Sequence, residues 1–156
     1  MECDVTFEKP LISDCEQIAR LLSSPYFYDE NTHQLNLAAF NLRRFANGEE
    51  ESYVSLSRMA FIDKKHLDKK GKYVFKKSES YYVGYALFSL RDLSLLYDRL
   101  RIYPVKSGGK DHCGMFFLDS DKKVLSGDLT IRPYTLKTLR SLCELLQDNV
   151  VLQGKN

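Results

Sequence analysis

Tryptophan is missing from this chain of 156 residues, and no apolar run approaches the ~20 residues that a membrane-spanning helix needs. Cys3, Cys15, Cys113 and Cys143 are scattered, with no C-x-x-C pair and no Cys/His spacing of the zinc type. They read as free thiols, and no metal site is expected. The first residues bring Glu2 and Asp4 instead of a positive start followed by an apolar stretch, so no secretory signal is expected, and the terminal Gln-Gly-Lys-Asn is no lipidation signal. These absences point to a cytoplasmic protein that does not enter a membrane. H-E-x-x-H, G-x-S-x-G and paired-carboxylate signatures are also missing, as are repeats, low-complexity segments and a linker between domains.

What is there is an ordinary globular composition, 44% hydrophobic and 28% charged. A chain of this length folds as one domain, here 1–156, and buries roughly two thirds of its unfolded surface. Ten tyrosines and nine phenylalanines supply the aromatic content. Net charge is +2, but residues 1–62 hold 5 Lys+Arg against 10 Asp+Glu and residues 63–156 hold 18 against 11, giving −5 and +7. The sequence is bipolar, which suits steering of an anionic partner and equally suits solubility.

Hydrophobic spacing predicts an α+β fold: a mostly antiparallel sheet of about five or six strands covered by three or four helices. Ser13 to Glu16 reads as a capping box for a helix running to about Leu22. A second helix is expected from Asn36 to Gly48, a third capped by Ser89 with Asp92, and a last one from Pro133 or Tyr134 with the stripe Leu136, Leu139, Leu142, Cys143 and Leu146. Strands are expected at Asp4 to Phe7, Tyr53 to Ile62, Tyr81 to Leu90, Arg101 to Val105, His112 to Leu118 and Leu129 to Arg132. Tyr81 to Leu90 is apolar on both faces and therefore central, with Gly84 marking a close backbone approach. Asp63 to Lys77, with seven lysines around Gly71, reads as a solvated hairpin tip or loop.

Arg58 is the residue out of place. Alternation puts it on one face with Val54, Leu56, Ala60 and Ile62, where a guanidinium requires a carboxylate, carbonyls or an anionic ligand. Two roles stay open at this point, structural ion pair and anion clamp. His112 shares a strand face with Gly114, Phe116 and Leu118, while Cys113 points the other way, so the two cannot act as nucleophile and base. Were Arg58 and His112 to share a cleft, they would hold an anion and shuttle a proton. Ser107-Gly108-Gly109-Lys110 lacks the spacing of a phosphate loop and reads as a turn. The lysines between Lys64 and Lys77, with Tyr73 and Phe75 among them, fit a solvated segment better than a nucleic-acid contact.

Phe7-Glu8-Lys9-Pro10, with Asp14, Ile18, Ala19 and Leu21-Leu22 after it, resembles the opening strand and helix of the GNAT acetyltransferases, and Val83 to Leu87 resembles their fourth strand. The resemblance covers about a quarter of the chain and implies acyl transfer from coenzyme A. The family's glycine-bearing pyrophosphate loop is replaced here by Ser89-Leu90-Arg91-Asp92-Leu93-Ser94, so no cofactor is expected. The leading expectation is an interaction or accessory protein that binds a protein partner. The alternative is an enzyme acting on an anionic or phosphorylated substrate, with Arg58 as clamp and His112 as acid/base.

Overall fold

Strand alternation organises the molecule around one antiparallel sheet. The computed structural model describes residues 5–77 and 79–154. In chain order the strands are β1 (Ile18–Ser24), β2 (Tyr28–Asp29), β3 (Gln34–Leu35), β4 (Val54–Arg58), β5 (Tyr81–Phe88), β6 (Leu100–Pro104), β7 (His112–Phe117) and β8 (Val150–Leu152), with helices α1 (Lys64–Phe75) and α2 (Pro133–Leu146). Six strands form the sheet in the order β6-β7-β4-β1-β5-β8, every neighbouring pair antiparallel, and β2 and β3 make a small separate ribbon. The α+β class and the strand count match expectation. Three or four helices was slightly high: among the described residues there are two α-helices, and the other helical segments are short 3₁₀ turns, the longest at Arg91–Leu96.

α2 starts at Pro133, whose fixed φ suits the first helical position, and buries Leu139, Leu142, Cys143 and Leu146. These side chains meet Ile18, Leu22, Leu56, Phe88, Met115 and Phe117 in the larger core. α1 lies on the opposite face, where Leu67 packs with Ala19, Leu21, Tyr82 and Tyr85 in a smaller core. On that same face, beside α1, stand Ser55 and Ser57 of β4 and, paired with them, Gly114 and His112 of β7. The register follows from simple alternation, because Ala19 of the α1 face pairs with Ser57.

Several local expectations are corrected. Ile18 to Ser24 is a strand, because its apolar residues face two cores at once, and burial on both sides produced spacing that also satisfies a helical stripe. Asp63 to Lys77 is largely helix. Asp63 accepts the His66 N–H at 2.8 Å as N-cap, and Leu67, Gly71 and Phe75 recur at four-residue spacing, but the middle position of the stripe is a glycine. A Cβ on Gly71 would stand 2.3 Å from the Tyr82 ring, so close packing removed the apolar residue that would have shown the period. The helix expected after Asn36 shrinks to a 3₁₀ turn at Leu37–Ala39, followed by a hairpin bridge between Arg44 and Glu50. Leu129 to Ile131 is likewise a 3₁₀ turn, and β8 was not anticipated. The Ser89/Asp92 cap forms reciprocally, at 2.9 and 3.3 Å, on a 3₁₀ segment. The expected strand at Asp4 to Phe7 falls partly outside the described residues; Val5 bridges Val105. Gly84 has φ +150, and a Cβ there would meet the Val151 carbonyl oxygen of β8, which is the close approach expected.

Candidate ligand-binding cleft

β1 and β4 pair over only two positions, Ile18 with Arg58 and Ala19 with Ser57, and then separate, while β1 continues along β5 to Ser24. Arg20 fills the gap. Its Nε donates to the Ala39 carbonyl at 2.7 Å and its Nη1 to the Ser55 carbonyl at 3.1 Å, and its guanidinium carbon lies 4.9 Å from the centre of the Phe27 ring. Burial lowers its pKa to about 10, with Glu51 opposing the fall and Arg43 adding to it, so the group remains charged at neutral pH. Its Nη2 donates to nothing among the described residues. No buried side-chain nitrogen or oxygen there lacks a hydrogen bond, so Nη2 opens to solvent.

It opens into a cleft of about 320 Å³ between α1 and the Gly108–Gly109 loop. Lys70 enters from α1. Its Nζ donates to Ser57 Oγ at 3.0 Å and to Asp111 Oδ2 at 3.0 Å, leaving one of three ammonium protons. Burial pushes Asp111 up, but the Lys70 ammonium outweighs it and holds the carboxyl below its ordinary value. Lys70 Nζ donates to Ser57 Oγ, which is the reverse of the bond a base makes to a nucleophile it deprotonates. The apolar lining is made by Val74 and Phe75, farther along α1, and by Phe27. Arg43, at the rim, pairs with Glu51 through two contacts of 3.2 and 3.0 Å.

The loop is held firmly. Lys9 Nζ donates to the Val105 carbonyl at 2.7 Å and the Gly109 carbonyl at 2.8 Å. Gly108 has φ +74, and a Cβ there would crowd His112 Nδ1 at 2.7 Å. That nitrogen is 2.7 Å from the Ser107 carbonyl oxygen, an acceptor only, so Nδ1 carries the proton and Nε2 is the lone-pair nitrogen of the neutral ring. Burial lowers the His112 pKa; the Ser107 carbonyl opposes this, and Lys70 and Lys9 add to it.

The two residues singled out in the sequence are not brought together. His112 lines the cleft. Arg58, 1% exposed, points to the α2 face, where Nε and Nη2 bind Glu16 at 2.5 and 2.7 Å, Nη2 also reaches the Leu11 carbonyl at 3.2 Å, and Nη1 donates to the Pro10 carbonyl. Phe61 lies against its guanidinium at 4.8 Å. Arg58 is thus a structural ion pair that pins residues 10–16 to the sheet. Cys113 also faces the large core, where burial pushes its thiol up to about 12, far from a reactive thiolate.

Arg20, Ser57, Lys70 and Asp111 were missed. Arg20 carried the same signal as Arg58, a guanidinium between apolar neighbours (Ile18-Ala19 and Leu21-Leu22), but it lay in a segment read as helix, where alternation was not applied. Lys70 was one lysine among seven in an assumed loop. No group of three or more potential metal ligands exists among the described residues, and no helix there is long and apolar enough to cross a membrane. No family model matches this chain, and comparison with curated proteins and with solved structures gave no significant match.

Proposed function

We propose that this protein is a binding domain whose cleft takes an anionic small molecule. The observation that carries the reading is Arg20: a charged guanidinium held by two backbone carbonyls, with no carboxylate in contact and with Nη2 open to the cleft. Carbonyls fix its orientation without neutralising it, so its charge is available to a ligand. Lys70 and His112 add polar groups from two other elements, and the apolar wall gives the mixed lining that small-molecule sites have. A concave basic cleft, in place of a flat apolar patch, favours this reading over a surface for a protein partner. Catalysis with His112 as acid/base is the second reading, favoured by a ring that lines the same cleft and keeps a lone pair on Nε2.

Thermal unfolding with a panel of anions (inorganic phosphate, pyrophosphate, citrate) tests the proposal. At a hundredfold excess over Kd the expected rise in melting temperature is roughly 5–10 °C. Arg20→Gln, checked for fold by circular dichroism, should abolish it. A wild-type melting temperature indifferent to every anion would sink the reading.

A further inference from the structure

Arg43 and Lys70 each have a carboxylate partner, Glu51 and Asp111, and only Arg20 has none in contact. Three polar positions remain for a ligand, one on each of three elements: Nη2 of Arg20 on β1, the third ammonium proton of Lys70 on α1, and Nε2 of His112 at the start of β7. A carboxylate has two oxygens in one plane and one charge. A phosphate monoester has three terminal oxygens in a tetrahedral fan and a charge of about −1.5 to −2, and when monoprotonated it offers His112 a hydroxyl as well. It therefore has an oxygen for each of three groups that line one cleft, where a carboxylate has two. At about 320 Å³ the cleft reaches the size of small-molecule sites and exceeds what a bare phosphate fills. The remainder faces Phe27, Val74 and Phe75, and Val74 is 53% exposed.

Resting on the reading proposed above, we infer that the ligand is an aromatic phosphate monoester, with a nucleoside 5′-monophosphate the member whose size suits the cleft. The phosphate meets Arg20, Lys70 and His112, and the ring lies along the apolar wall of α1.

Calorimetric titration of the full chain with adenosine 5′-monophosphate, phenyl phosphate, adenosine and inorganic phosphate separates the possibilities. The monophosphate is expected to bind at least about tenfold more tightly than inorganic phosphate and than adenosine. Val74→Asn, at an exposed position that leaves the core untouched, should weaken the monophosphate roughly fivefold and leave inorganic phosphate unchanged. Equal affinity for inorganic phosphate and the monophosphate would overturn this inference and leave the anion cleft standing. Phenyl phosphate binding tenfold more tightly than the nucleotide would overturn the nucleoside assignment. Binding of none of these probes, nor of pyrophosphate or citrate, would overturn the cleft reading itself.

Discussion

At the scale of single residues, two arginines embedded in apolar sequence have opposite fates, and the difference lies in what they meet. Arg58 meets Glu16 in a nearly dry site with two carbonyls as further acceptors. Removing one partner strands the other, so Glu16→Ala or Arg58→Met should each cost about 3–5 kcal/mol, read by urea unfolding. The double variant Arg58→Met/Glu16→Leu should recover most of that loss, since an apolar pair leaves no buried charge; additive losses would show that the ion pair is not the cause. Arg20 meets only carbonyls and keeps an open N–H, which is why it belongs to a site. His112 makes a pH prediction. Its folded-state pKa lies below the unfolded value because burial, and then Lys70 and Lys9, disfavour the imidazolium. The unfolded chain therefore binds the extra proton first: the contribution is fully present above an unfolded pKa of about 6.5 and is lost as pH falls from there through the folded value. His112→Gln should flatten the stability curve in that window, measured by denaturant unfolding between about pH 5 and 7. An unchanged slope would assign the acid sensitivity elsewhere.

At the scale of elements, what was legible depended on whether a segment faces one environment or two. α2 faces one core; its start was read to within a residue and Leu139, Leu142, Cys143 and Leu146 are buried as expected, but Leu136 is only half-buried and Thr135 and Thr138 are buried in its stead. Replacing Leu139 or Leu142 with Ala should cost about 2–5 kcal/mol, and a loss below about 1 kcal/mol at both would deny them a core role. β7 was also read correctly, including the opposed faces of His112 and Cys113. β1 faces two cores, so its apolar residues carry no clean period, and both Arg20 and the cleft floor were lost with it. α1 was hidden by its lysines and by Gly71. That glycine yields a prediction of unusual sign. In most helices Gly→Ala gains about 1 kcal/mol from propensity, but here the new methyl would collide with the ring of Tyr82, whose hydroxyl donates to Asp68 at 2.6 Å and holds it in place. Gly71→Ala should therefore destabilise, by about 1–3 kcal/mol of overpacking, and Gly71→Ala/Tyr82→Leu should reverse the loss. A stabilised single variant would mean that the ring moves freely and that α1 is not fixed by it. Cleft geometry as a whole was beyond reach of the sequence, because Arg20, Lys70 and His112 come to line one cleft only through the pairing of β1 with β4 and β4 with β7 and the bond from α1 to Ser57.

At the scale of the molecule, the split between an acidic first part and a basic remainder does not become a split in space. β1 and β4 come from residues 1–62, and they occupy the middle of the sheet, with β7 and β6 on one side and β5 and β8 on the other, all from residues 63–156. Each charge block is interleaved with the other, which shortens the dipole the sequence suggested. The same interleaving bears on folding. Residues 63–156 retain two antiparallel pairs, β6 with β7 and β5 with β8, but nothing that joins them into one sheet, because β5 and β7 both require strands from the first part. Residues 1–62 retain β1 and β4, paired at two positions, and the two-residue ribbon of β2 and β3, with neither α-helix to cover them. The two pairs of the second fragment keep α1 and α2 but lose Ile18, Leu22 and Leu56 from the larger core and Ala19 and Leu21 from the smaller, and the first fragment has no covering α-helix, so neither should hold structure alone. Circular dichroism of fragments 1–62 and 63–156 should report unfolded chains. Because β1 contributes to both cores, the intact protein should unfold in one transition, with far-ultraviolet dichroism and tyrosine fluorescence coincident along a urea titration and a slope of about 1–3 kcal/mol per molar. Two separated transitions, or a folded 63–156 fragment, would mean that the α1 and α2 sides are stabilised independently and that the cleft between α1 and the Gly108–Gly109 loop can open without unfolding the larger core.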